Sequence, residues 1–500
     1  MSKRTKVLGL AAGLALVVAL AVPGVASAQD GAKLLEAKSL ELDMVWVAIS
    51  CALVFLMQAG FLFLEIGFSR EKNAGAGVGK ILINLAVVTI AWWAVGYGIS
   101  GFGNDIFGTD GFFFHFGQVM GSGADAVTVA GSDAMLMLYG LAFAAVSLAI
   151  VWGTTLERIK FSAYVIYGVV FGAVIYPLVA HSVWGGGLLS DVGGKPVMDF
   201  AGSSVVHLTG AVGGLVALLL LGARRGKYAG DGTPRAIPGH SMPFVGLAVM
   251  ILWIGWFGFN GGSTFGTADV FFGEVMLNTQ LAAAAGVIGA VLVCYRKTKS
   301  LDVGMAGNGA IAGLVAITAP SGFVEYWAAP IIGFLAGVFV VYSVIAIERR
   351  LDDPVGALSA HGMAGIWGTV AVGIFASPRL IADGAAPGIF YGITDGGFAD
   401  SLGQLGVQAL AVVATFTFVF VASYAVFAAI KATIGMRVSA DEELAGLDIS
   451  THGMYGYPES FIPREEYPGT GAYQPSVAGT PIATPATANP QSEPATTPSA

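Results

Sequence analysis

Charge is what this chain lacks. Of 500 residues only 11% are Asp, Glu, Lys or Arg, against roughly 25% in an ordinary soluble protein. A water-soluble globule of this size needs more charge on its surface, so a soluble multidomain protein is excluded. The little charge present leans acidic: 24 Lys+Arg against 32 Asp+Glu leave a net charge of −8. That offers no basic field to a nucleic acid. Cysteine is scarce as well. Cys51 and Cys294 are the two copies. Each lies in or at the end of an apolar stretch without a CxxC or a nearby His, and reads as a small packing residue rather than a disulfide or metal ligand. No HExxH, no GxSxG in a suitable setting and no pair of catalytic carboxylates is present, so nothing points to an enzyme or a cofactor.

What is abundant points one way. Hydrophobic residues make up 55%, mean hydropathy is +0.76 and there are 72 Gly. This is the composition of an all-α polytopic membrane protein whose helices pack closely in lipid. The first 28 residues read as a secretory signal peptide. Lys3, Arg4 and Lys6 precede an apolar run over 7–22, Pro23-Gly24 breaks it, and Ala26-Ser27-Ala28 is a small-residue cleavage pattern. An uncleaved first membrane helix is the rival reading. At the other end, nine of the 20 prolines fall between Pro458 and Pro498. That Pro/Thr/Ala-rich tail, 458–500, is expected to be disordered.

Between the ends lie eleven apolar runs of spanning length, near 44–67, 77–100, 134–156, 161–181, 200–222, 242–260, 273–295, 303–319, 327–347, 360–376 and 403–432. The eighth and tenth are short, which suits helices buried by neighbours. Positive charge falls in alternate loops: Arg70 and Lys72; Arg158 and Lys160; Arg224, Arg225, Lys227 and Arg235; Arg296, Lys297 and Lys299; Arg349 and Arg350; Lys431 and Arg437. The intervening loops hold Lys195 and Arg379 and are otherwise acidic. The positive-inside rule then places the N-terminus outside and the C-terminus in the cytoplasm of a multi-pass cell-membrane protein.

Five spans precede the basic loop at 223–240, five follow, and one stands alone. An odd number per half gives halves of opposite orientation, an inverted 5+5 repeat plus one C-terminal helix. A sequence echo supports it. Asp199 lies eight residues before His207, and Asp353 eight before His361, each at the start of a corresponding span. The two His would meet near the midplane. An ionisable group at that depth is a functional-site hypothesis. A metal site would want a third ligand, and none is obvious. A hydrogen-bonded imidazole pair lining a narrow pore fits better, because neutral imidazole both donates and accepts and can relay a proton near neutral pH.

The stretch DFAGSSVVH at 199–207 resembles a signature of the ammonium transporter/Rh superfamily, bacterial or archaeal type. Further matches follow in order: FLMQAGF at 55–61 with Glu65, Arg70, Lys72 and Asn73; ERIKFS at 157–162; HSVWGGG at 181–187; GWFGFNGGS at 255–263; DDPVGALSAHG at 352–362; GLDISTHG at 446–453. The resemblance covers roughly residues 43–457. It implies a transporter domain over 43–432, a cytoplasmic regulatory segment over 433–457, and a homotrimer with one narrow hydrophobic pore per subunit. The expected substrate is ammonium or ammonia, with methylammonium as analogue. Trp184 and Ser263 match the outer site that recruits the cation, with Tyr139 at a position commonly Phe. Phe143 and Phe259 match the stacked pair that closes the pore. His207 and His361 match the twin His, Trp256 a pore-region aromatic, and Asp199 a residue supporting the recruitment site or the helix start. Glu65 reads as a structural buried acid. Residues 437–453 resemble a segment that contributes to control by a PII-class trimeric signalling protein. A neutral Rh-like channel for NH3 or CO2 and an ammonium sensor stay open as alternatives. Trp184 with Tyr139 argues against the first, and the lack of an appended output domain disfavours the second.

Overall fold

The computed structural model describes residues 38–114, 124–381 and 383–461. The expected signal peptide at 1–28 and the tail beyond residue 461 lie outside the described residues. The chain divides into two units, Met1–Tyr457 and Pro458–Ala500. The described part of the second is one short helix, Pro458–Phe461.

Among the described residues of the first unit, eleven apolar helices follow one another. They are α1 (Lys38–Phe68), α2 (Glu71–Ser100), α3 (Val129–Thr154), α4 (Phe161–Trp184), α5 (Ser203–Leu221), α6 (Met242–Thr264), α7 (Ala268–Thr298), α8 (Val303–Thr318), α9 (Ala328–Glu348), α10 (Leu358–Phe375) and α11 (Phe398–Thr433). Ten are long and apolar enough to cross a membrane. The exception is α8, with 16 residues. From Gly307 to Thr318 all its residues are buried, so protein rather than lipid surrounds it and its shortness costs nothing. Several helices outrun their apolar windows. α1 begins at Lys38 and α7 at Ala268, because a helix need not stop where the apolar run does.

The alternating charge has a structural counterpart. Loops following α1, α3, α5, α9 and α11 meet at one end of the bundle, the basic end. There Arg70 forms an ion pair with Glu157 and donates to it from Nε at 2.7 Å. Glu157 also lies 3.7 Å from Arg224. Arg224 grips Asp352 with Nε and Nη2, both at 2.9 Å. Arg158, fully buried, donates to the carbonyls of Thr154, Leu156, Gly222 and Asp352. At the opposite, acidic end, the two exceptional cations are both paired: Arg379 bridges Glu274 and Glu325, and Lys195 lies 3.6 Å from Asp400.

The segment after α11 is ordered against the basic end by hydrogen bonds to α2 and its N-terminal turn. It carries two short helices, α12 (Ala440–Ala445) and α13 (Leu447–His452). Lys72 Nζ donates to the carbonyls of Glu443 and Leu444. Leu447 N–H donates to Asn73 Oδ1. The Asp448 carboxylate accepts from Gly75 and Ala76 N–H at 3.0 and 2.8 Å. It therefore supplies acceptors where the α-helical part of α2 begins at Ala74, a start that Asn73 leaves without a side-chain cap.

Burial works to raise the Asp352 carboxyl, but the bonded Arg224 guanidinium and nearby Arg158 bring it down to about 2. A depressed carboxyl stabilises the fold above its unfolded pKa of roughly 4, and that contribution disappears as pH falls toward 2. Asp352→Asn leaves two buried guanidinium groups short of a counter-charge, a loss of about 3–5 kcal/mol. Thermal unfolding in detergent should show a clear drop for Asp352→Asn at pH 7 and a narrowing gap from wild type below pH ~4.

Candidate functional site

Two helices begin inside the bundle and carry the buried His. Before α5 the chain runs extended and is held by neighbours: Phe200 and Ala201 N–H donate to the carbonyls of Ala319 and Thr318, and Gln408 of α11 bonds both main-chain groups of Met198. Asp199 then caps the helix. Its Oδ1 accepts from Gly202 and Ser203 N–H at 2.8 and 2.9 Å, and its Oδ2 from Ser204 and Val205 at 2.8 and 3.1 Å. Those are the N–H groups that a helix start leaves unpaired. The turn between cap and helix needs Gly202, whose φ of 112° is left-handed. A Cβ there would lie 3.2 Å from the Trp184 ring.

α10 repeats the pattern. Asp353 Oδ2 accepts from Leu358 N–H at 2.8 Å, and Gly356, with φ 75°, makes the turn. Both helices open with a π-helical stretch, Ser203–Leu208 and Leu358–Met363, which contains the His. The shared sequence is Asp-x2-Gly-x4-His, so Gly202 and Gly356 extend the Asp-to-His echo that spacing alone showed. The copies differ in completeness. Asp199 receives four backbone bonds, whereas Asp353 Oδ1 has no partner among the described residues. Burial raises the Asp199 carboxyl, with its four N–H donors pulling the other way. Burial pushes Asp353 up to about 6.

The structure brings His207 and His361 into contact, Nδ1 to Nδ1 at 3.3 Å with ring centres 5.3 Å apart. In a neutral pair one Nδ1 donates and the other accepts. His207 lies parallel to Trp256 at 5.1 Å, and the Trp256 Nε1 donates to Thr318 Oγ1 at 2.9 Å. His207 Nε2 has no partner among the described residues. Phe61 of α1 approaches His361 at 6.5 Å.

Toward the acidic end the aromatic column continues. Phe259 lies 5.5 Å from His207 and stacks on Phe143 at 4.0 Å and 15°. Trp184 meets Phe143 edge-on at 6.3 Å and is 37% exposed, while both Phe are buried. Its Nε1 donates to the Asp199 carbonyl at 2.8 Å. Asp199 thus holds α5 by its carboxylate and Trp184 by its main chain. Tyr139 packs on Phe143 at 4.7 Å. Its buried hydroxyl lies 2.9 Å from the Gly258 carbonyl and 3.0 Å from that of Phe259, and 3.4 Å from Ser263 Oγ. The extra oxygen of Tyr139 therefore supports the π-helical stretch Phe257–Gly261 of α6. Ser263 Oγ also donates to the Phe259 carbonyl at 2.9 Å, leaving its lone pairs free to accept. One aromatic was missed by sequence reasoning. The exposed Phe265 covers Tyr139 at 5.4 Å, and its place two residues beyond Ser263 was the available signal. Among the described residues no group of three or more His, Cys, Asp or Glu gathers to hold a metal.

The sequence model of the Ammonium Transporter Family matches residues 45–457. The chain belongs to that family. Ammonium transporter Amt2 of Archaeoglobus fulgidus is 42% identical over 469 residues, covering 91% of this chain and 96% of that protein. An ammonium transporter of Bacillus subtilis is 33% identical over 84% of this chain and 99% of its own length. Among solved structures, a sensor Amt protein superposes with TM-score 0.75 at 31% identity over 83% of this chain and 99% of that one. Mep2 of Candida albicans superposes with TM-score 0.70 at 28% identity, over 80% and 87%. Family and apolar helices together make this a multi-pass membrane protein.

Because both Asp199 oxygens serve as caps, its replacements should grade. Asp199→Asn keeps one acceptor oxygen and Asp199→Ala none. Thermal unfolding should order the proteins wild type, Asn, Ala, with Ala losing at least about 2 kcal/mol.

Proposed function

We propose that the chain moves ammonium across the cell membrane by recruiting NH4+, removing its proton and conducting NH3. The observation that carries this reading is the contact between His207 and His361 inside a column of neutral rings. Bare NH4+ in such a passage would forfeit its hydration with only neutral rings to compensate, a cost of many kcal/mol. NH3 crosses far more cheaply. The exposed face of Trp184 attracts the cation, and Ser263, backed by Tyr139, accepts from its N–H groups. K+ offers no N–H and is admitted less well. Deprotonation falls near the Phe143–Phe259 stack. Ammonia then passes the imidazoles, whose ring nitrogens can donate and accept, while the proton travels along the pair. Trp256 and Asp199 are supporting residues.

Sidedness follows from charge. The basic end faces the cytoplasm and the Trp184 end faces outward. The same reading takes the protein as a homotrimer and the ordered segment over 433–457 as a regulatory element open to a PII-class partner. A pull-down with and without ATP, ADP and 2-oxoglutarate tests the partner, and binding that ignores them all counts against it.

Likeness to a protein described as a sensor favours one rival: a receptor that binds ammonium without carrying it. Proteoliposome electrophysiology with ammonium, methylammonium and K+ separates the two. A transporter gives ammonium-evoked currents or flux, and a sensor gives neither. Within the transport reading, His207→Asp should cut ammonium flux or admit K+ by about tenfold relative to wild type. Selectivity and flux both unchanged in His207→Asp and His361→Glu would remove the imidazole pair from the mechanism.

A further inference from the structure

Glu65 is an acid with no evident structural work. It is 1% exposed, and neither carboxylate oxygen has a hydrogen-bond partner among the described residues. A buried carboxylate left in this state is costly, and such a group inside a membrane bundle calls for a function. Its position supplies one. Glu65 lies four residues after Phe61 on α1, so the two share a face one turn apart, about 6 Å along the axis. Phe61 is the ring that meets His361. The displacement runs toward the basic end, since α1 ends there at Phe68 beside Arg70.

The surroundings are equally specific. Among the described residues, the titratable groups that interact electrostatically with Glu65 include Lys80 of α2 and Tyr164 of α4. Tyr164 donates its hydroxyl to the Lys80 carbonyl. α1 and α2 touch here, because a Cβ on Gly77 would lie 3.9 Å from the Glu65 carbonyl carbon. Lys80 is itself buried and has no ion-pair partner within 4 Å among the described residues. His452 of α13 packs against α2 one residue from Lys80, its ring 2.8 Å from where a Cβ on Gly79 would stand.

We propose that Glu65 is the proton acceptor on the basic-end side of the His207–His361 pair, with Lys80 as its counter-charge. This rests on the transport reading above. A proton leaving the imidazole pair passes through intervening water to the Glu65 carboxylate, which becomes a neutral carboxylic acid. The acid returns it to water at the basic end, where ammonia takes it up and becomes ammonium. Lys80 keeps its own proton throughout and offsets the carboxylate charge.

The test is ammonium-evoked current from full-length protein in proteoliposomes. Glu65→Gln should lower the current at least about tenfold, and Glu65→Asp, which restores a carboxylate, should recover a third or more with a shifted pH profile. Glu65→Gln with Lys80→Met leaves no buried charge unpaired, so it folds even where the single variant does not, and it should be equally silent. Wild-type current in that double variant, or Glu65→Asp as silent as Gln, overturns the proposal and leaves the transport reading standing. A wild-type protein that gives neither current nor ammonia flux overturns the transport reading and Glu65 with it.

Discussion

A helix that begins inside a bundle leaves up to four N–H groups with no water to satisfy them. α5 and α10 both begin this way, and the site depends on how the chain ends that debt. A carboxylate four or five residues before the helix, then a glycine in the left-handed region, turns the backbone so that N–H groups of the helix start face the acid. The imidazole then falls within the first turns, at a depth set by the cap. Two caps on helices from opposite halves of an inverted repeat bring two imidazoles to one place. No separate device for positioning His207 and His361 is needed.

The crossing requires small residues where the two helices touch. A Cβ on Gly365 of α10 would lie 2.6 Å from the Ser203 carbonyl oxygen, closer than non-bonded atoms allow. With the backbones this near, hydroxyls do the tying. Ser203 Oγ donates to the Val315 carbonyl and accepts from Ala319 N–H. Ser204 and Thr369 bond each other across α5 and α10, and Ser147 of α3 donates to the Val206 carbonyl beside His207. Each such bond adds only about 1 kcal/mol, but a buried partner left alone costs more. The π-helical stretches therefore sit in a frame that tolerates little movement of the rings.

Much of this was legible because it is local or periodic. Spanning runs, alternating loop charge and the Asp-to-His spacing all lie within short windows, and each reappears as helices, a basic end and paired caps. What was illegible joins residues far apart in sequence with no shared pattern. Nothing near Arg224 announces that Asp352 is its partner, nor near Gly75 that Asp448 caps it. The Tyr139 hydroxyl was read through its motif position as a vestibule feature, yet its neighbours are the carbonyls of a π turn. Helix geometry is the reason, because a widened turn leaves carbonyls outside the regular helical pattern, where a side chain from another helix can reach them. Glu65 was passed over for the opposite reason. A lone acid in an apolar run looks structural until its oxygens prove to have no partner.

The ionic cluster at the basic end sharpens why charge is so scarce elsewhere. Arg70, Arg158, Arg224 and Arg437 stand against Glu157, Asp352 and Glu443, so the cluster is close to neutral and projects little field along the bundle. Had these cations stood unpaired, each would act through a low-dielectric interior at many times its strength in water. On the proposed relay, a proton on the imidazole pair would then be repelled from the basic end, the direction in which that relay takes it. Ammonia, being neutral, would be indifferent. The pairing of these four arginines thus bears on the proposed proton path alone, which needs a weak background field and one acceptor that is not already satisfied.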